Sequence, residues 1–191
     1  VSVGISTENL WWGPGFRNSL LMTNNAPGFL HATFNTVKPL KTFAGNVEFQ
    51  LIAGKLNGSG LEPSTEEVTV AGVNYFWPKP QDWRYISGIS INYQPKWVPG
   101  LFLGFSRVFQ LYSKDLGTGF SDYFPLFIPL QKKSTVNEDG KNRDQLASLS
   151  ARWVFPSAQL EIYGESGWND YLQNVWDFFV SPDHSYASTI G

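Results

Sequence analysis

"RDQLASLSARWVFPSAQLEIYGESGWND", residues 143–170, reads as two long strands about one tight turn. Ala147, Leu149, Ala151, Trp153 and Phe155 alternate with Ser148, Ser150, Arg152 and Val154. Beyond the turn, Ala158, Leu160 and Ile162 alternate with Gln159, Glu161 and Tyr163. Successive side chains of a strand point to opposite faces, so this pattern gives each strand one apolar face and one largely polar face. With Pro156-Ser157 as a two-residue turn, Phe155 faces Ala158 and Arg152 stands opposite Glu161 on the polar face. An Arg152–Glu161 ion pair is therefore expected, on the inside if the strands belong to a barrel. Strands of ten or more residues exceed the usual soluble length of about five to six. They suit the roughly nine to eleven residues that a tilted strand needs to cross a bilayer.

Working outward, similar patterns place strands at about 30–36, 45–56, 82–95, 101–112, 144–155, 158–168 and from 184 onward. "VSVGIS" and "RNSLLMT" read as earlier strands. The connections alternate in length. Loops 57–81, 113–143 and 169–183 are long, whereas "PKWVPG" and Pro156-Ser157 are short. Antiparallel neighbours put alternate connections on opposite ends, so the long loops share one end, as in outer-membrane barrels. Loops of that length count against a compact soluble domain. Trp97, Phe102, Trp153 and Phe155 fall near the short turns, and Trp83, Tyr85, Phe109, Tyr112 and Trp168 near the long loops. Two such groups fit the aromatic girdles of a membrane-spanning wall. A soluble β-sandwich explains the alternation, but not strand length, loop asymmetry and aromatic banding together.

The expectation is an all-β fold: an antiparallel transmembrane β-barrel, with 1–191 a single-domain portion of a larger barrel, incomplete at both ends. No stretch approaches the ~18 apolar residues of a membrane helix. Net charge is −2 and no Lys/Arg run occurs, so nucleic acid is not an expected partner. Cysteine is absent, which removes disulfides, thiol catalysis and Cys-ligated metals.

"ENLWWGPGFRNSLLMTNNAPG" (8–28) is the most distinctive stretch. Trp11 and Trp12 run into Gly-Pro-Gly, which continues neither a helix nor an inner strand with ease. The segment suits a strand end or a sharp bend in a barrel wall. In one role the indoles are interface anchors. In the other they stack on sugar rings while Glu8, Arg17, Asn24 and Asn25 hydrogen-bond hydroxyls.

This stretch resembles the tryptophan-Gly-Pro-Gly segment of the capsule assembly Wzi family of outer-membrane proteins. "DWRYISGISINYQPKWVPGLFLGFSRVFQ" (82–110), the strand pair 143–170 and "DFFVSPDHS" (177–185) extend the likeness over nearly the whole chain. It looks closest to members from Bacteroidetes-type bacteria. The resemblance implies a large closed barrel in the bacterial outer membrane. It also implies lectin-like, non-catalytic attachment or organisation of surface polysaccharide. Family barrels are longer, so the chain reads as a middle portion. Expected partners are outer-membrane lipid and surface polysaccharide, with other outer-membrane proteins as a further candidate. A structural subunit of a larger outer-membrane complex is the alternative, and a porin a weaker one.

Enzyme chemistry finds little support. His31 and His184 are far apart with no metal-ligand spacing, no nucleophile elbow or phosphate loop occurs, and neither cofactor nor metal is expected. The charged loop containing "NEDG" lacks the alternating ligands of a calcium loop. Glu161 and Glu165 share a face, but four strand residues span about 13 Å at ~3.3 Å each. Glycosidase carboxylates need about 5–5.5 Å or 6.5–9.5 Å. The apolar "YFPLFIPL" (123–130) lies inside a long loop, either packed over the barrel mouth or presented to a partner.

Overall fold

The computed structural model describes residues 1–61, 69–76, 80–127, 143–169 and 186–191. Among these residues the strands are β1 (Ser2–Ser6), β2 (His31–Asn35), β3 (Leu40–Lys41), β4 (Gly45–Leu56), β5 (Thr69–Val70), β6 (Val73–Asn74), β7 (Arg84–Pro95), β8 (Leu101–Tyr112), β9 (Asp144–Phe155), β10 (Leu160–Asn169) and β11 (Tyr186–Ile190). One antiparallel sheet runs β1-β2-β4-β7-β8-β9-β10-β11, with β3 paired beside β4. Among the described residues the sheet does not close into a barrel: β1 and β11 end the order. No described helix is long and apolar enough to cross a membrane.

The long strands form because period-two alternation is sustained over most of their length, with Ile52, Ile86, Val108 and Arg107 as exceptions near the long-loop end. β4 and β7 pair along their whole length, from Gly45↔Pro95 to Leu56↔Arg84. The same register carries Phe49, Ile91, Phe105 and Leu149 in one row across four strands. That face is apolar and largely bare: Val3, Ile5, Leu103, Leu149, Trp153 and Ile162 are exposed. The opposite face carries Asn92, Gln94, Ser106, Ser148, Ser150, Arg152 and Glu161.

Several expectations need correction. "RNSLLMT" is not a strand; its Met22 makes only an isolated bridge to Trp12. The turn at Pro156 is longer than two residues. Pro156–Ala158 form a 3-10 turn and Gln159 takes a left-handed conformation, so Leu160, not Ala158, pairs with Phe155. Arg152 consequently lies opposite Tyr163, and Glu161 opposite Val154. The girdles lose two members, since Phe102 pairs opposite Arg152 and Tyr112 opposite Arg84, both on the polar face. Loop 57–81 contains the small hairpin β5–β6, turning at Ala71-Gly72 with φ of 50° and 81°.

The opening motif is no bend in the wall. Residues 7–30 leave β1, cross the polar face of the sheet as a strap, and return to β2. Its seat is written into the strands. Ile52, Ile86 and Val108 occupy polar-face positions near the long-loop end, and Leu10, Trp12 and Met22 pack on them as the buried core. Leu21, Phe29 and Leu56 close the edges.

On the other face, loop residues 113–127 fold back down the apolar side. A 3-10 turn (Ser113–Asp115) leads into the single turn α1 (Phe120–Tyr123) and a second 3-10 turn, Pro125–Phe127, that packs on β7 and β8. "YFPLFIPL" is thus described as far as residue 127, and that part lies on the apolar face, not over the mouth. Residues 128–130, the "NEDG" loop tip, His184 and "DFFVSPDHS" as far as residue 185 lie outside the described residues.

Candidate functional site

The strap separates its two tryptophans. Trp12 is 4% exposed. Its indole Nε1 donates to Gln50 Oε1 at 2.8 Å, and its backbone N–H donates to the Met22 carbonyl at 3.2 Å. A buried indole keeps its large apolar surface dry only if its one donor is satisfied, and Gln50 does this. The ring reaches the sheet because position 88 is glycine: a Cβ there would lie 2.8 Å from the Trp12 Cη2. Trp11, 39% exposed, faces out, and its Nε1 donates to the Gly15 carbonyl at 3.2 Å.

The far end of the strap is held by β10. Glu165 is buried, and its Oε2 accepts from the Leu20 backbone N–H at 3.1 Å and from Ser19 Oγ at 3.4 Å. Gly13, with φ of 127°, passes within reach of the same carboxylate, where a Cβ would collide with Ser19 Oγ and Glu165. The other oxygen, Glu165 Oε1, meets no hydrogen-bond partner among the described residues. Two contacts to one buried side chain make Glu165 an anchor for the strap.

Glu8, Arg17, Asn24 and Asn25 are all exposed on the strap. The structure therefore presents Trp11 with these polar residues on the strap and removes Trp12 from any stacking role. Asn25 also lines a cleft of about 320 Å³ between the strap and the long-loop end of the sheet. Leu10, Met22, Phe29 and Val108 give it an apolar floor, and Asn9, Asn25, Gln110 and Asp144 supply polar groups. Along one wall, Gln110 Nε2 donates to Asp144 Oδ2 at 2.6 Å. A held amide and a carboxylate beside an apolar floor suit a ligand with hydroxyls on its edge and C–H groups on its face.

Arg152 and Glu161 meet diagonally across the β9–β10 pair. Arg152 Nε donates to Oε1 at 2.9 Å and Nη2 to Oε2 at 2.7 Å. Both side chains remain well exposed on the polar face. Glu161 is committed to Arg152 and Glu165 to the strap, so neither is arranged as half of an acid–base pair.

Gln50, Gly88, Glu165, Gln110 and Asp144 were not among the residues that sequence singled out as site members. Gly88 did carry a signal, because an isolated glycine inside a strand marks a close backbone approach. Ile52 and Val108 carried another, as apolar residues on a face otherwise polar.

The family model described as capsule assembly protein Wzi matches residues 2–183. No curated protein and no solved structure matches the chain.

Proposed function

The chain belongs to the Wzi capsule assembly family, and from that premise we propose that it forms part of the wall of a bacterial outer-membrane β-barrel that retains or organises surface polysaccharide. The apolar face meets lipid and the polar face meets the lumen. Strands of ten to twelve residues, bare apolar side chains on one face and polar ones on the other support this arrangement. The role is lectin-like and non-catalytic, in keeping with the engagement of Glu161 and Glu165 elsewhere.

One observation carries the sugar-contact reading: the strap holds Trp11 out while burying Trp12. An exposed indole on a fixed backbone, with Glu8, Arg17, Asn24 and Asn25 on the same segment, offers a stacking face and hydroxyl partners together. The complex-subunit alternative draws less support, since Tyr123 and Leu126 of the apolar loop segment are engaged within the chain itself.

The test separates the two tryptophans. Trp11→Ala is expected to reduce polysaccharide retained on cells while protein abundance in the outer membrane stays unchanged. Trp12→Ala is expected to lower abundance itself, by removing a buried ring worth about 3–5 kcal/mol. Unchanged retention in Trp11→Ala would overturn the stacking role.

A further inference from the structure

We propose that residues 120–127 form a collar seated in the outer leaflet of the bilayer, with Phe120 entering lipid; this rests on the barrel reading above. Register fixes the side on which the collar lies. Tyr85, Ser87, Arg107 and Phe109 share the face of Leu103 and Leu149, as the pairings Ser87↔Phe109, Leu103↔Ala151 and Phe105↔Leu149 show. All four are buried, with Phe109 at 0% exposure. Their cover is the loop. Arg107 Nη1 donates to the Leu126 carbonyl at 3.0 Å, and Tyr85 Oη donates to the Tyr123 carbonyl at 3.0 Å. The Tyr85 and Tyr123 rings meet edge-on with centroids 5.5 Å apart.

The covered patch adjoins bare wall. One row below Arg107, the same face presents Phe105 beside exposed Leu149 and Leu103. Length then decides what lies against the collar. On β8 the uncovered rows from Leu101 to Phe105 rise only about 13 Å along the strand at ~3.3 Å per residue. An outward apolar band is about 25 Å tall, with strands tilted about 35–45°. Continued to Leu111, the strand covers about 33 Å, or about 25 Å along the normal at ~40° tilt. The band therefore reaches its full height on β8 only if lipid rises over the collared rows. There it touches the collar rather than the wall.

Chemistry agrees with this placement. A guanidinium on a lipid-facing wall is unfavourable unless it is enclosed and paired. Arg107 is both: Gln145 Oε1 accepts from its Nε at 3.1 Å, the Leu126 carbonyl accepts from Nη1, and the Phe109 ring lies 4.5 Å from its Cζ. The collar's own outer surface is aromatic. Phe120 is 74% exposed and packs on Phe124 with ring centroids 5.3 Å apart, and Tyr123 is also exposed. Aromatic rings concentrate at this depth of a bilayer.

The 191 residues contain no cysteine, so each substitution below introduces a single thiol among them. The full-length protein carrying Phe120→Cys, Leu149→Cys or Val73→Cys is reconstituted in phosphatidylcholine liposomes. Collisions with oxygen and with a water-soluble nickel chelate are then measured for each label. Labels at 120 and 149 are expected to favour oxygen, and the label at 73, in the β5–β6 hairpin, to favour nickel. If 149 favours oxygen and 120 favours nickel, the collar is overturned while the barrel stands. If 120 is shielded from both reagents while 149 favours oxygen, a protein covers it and the lipid assignment is overturned. If 149 favours nickel, the barrel reading fails and the collar with it.

Discussion

At the scale of single residues, the strap depends on the meeting of Trp12 with Gly88. The indole lies too close for any Cβ at position 88 to fit without a shift. Gly88→Ala should therefore displace the ring, and overpacking of this kind costs about 1–3 kcal/mol. Shortening the ring in a Gly88→Ala, Trp12→Leu double variant should recover part of that loss relative to the sum of the single changes. Denaturant unfolding of the four proteins measures the coupling, and strict additivity would show that the close approach carries no energy. The sequence displayed two adjacent tryptophans but not which ring would be buried. That depends on Gln50 and Gly88, which lie 38 and 76 residues beyond Trp12. Such distant partners leave no local pattern, apart from a glycine standing alone in a strand.

At the scale of elements, strand positions were legible and one register was not. In 144–155 the alternation runs unbroken from Ala147 to Trp153, so most of the strand's extent is its own evidence. The turn depended on a subtler choice. Pro156-Ser157 suits a two-residue turn by composition, yet the chain uses a 3-10 turn and places Gln159 at φ of 49°. The residues added to the turn shift the pairing, and the Arg152–Glu161 contact becomes diagonal. The left-handed conformation is unfavourable for β-branched side chains. Gln159→Val should destabilise the β9–β10 hairpin by about 1–2 kcal/mol, whereas Gln159→Gly should be tolerated. Urea titrations of the folded protein report both, and equal loss in the two variants would mean that position 159 is sensitive for another reason. Arg107 was not singled out from the sequence, although it carried a signal. It breaks the apolar face of "LFLGFSRVFQLY", and a charge in that place implies a cover.

At the scale of the whole molecule, strand length and loop asymmetry carried most of the argument, because both reflect the thickness of the medium that the sheet is proposed to cross. The protein is expected to fractionate with the outer membrane and to need detergent for extraction; recovery as a soluble monomer without detergent would sink the membrane assignment. The two faces should also respond differently to charge. Leu149→Arg places a guanidinium on the bare apolar face and should cost about 2–4 kcal/mol near the bilayer midplane. Glu48→Arg, on the exposed polar face, should cost little. Equal penalties in a folding titration into lipid vesicles would mean that lipid does not distinguish the faces. The strap's crossing of the polar face was not legible, because its last contact is so remote.

That remoteness has a kinetic consequence. Ser19 and Glu165 are separated by 146 positions, yet they meet in the folded protein. Closing so long a loop gives little reward until its final contact forms, and non-local pairing of this kind slows folding. The strap cannot finish docking until β10, near the end of the described sheet, is in place. A nascent chain halted before residue 144 would hold residues 13–20 without their anchor, open to proteases and to holdase chaperones. The order of assembly is thus written into the strap: it is made early and secured late.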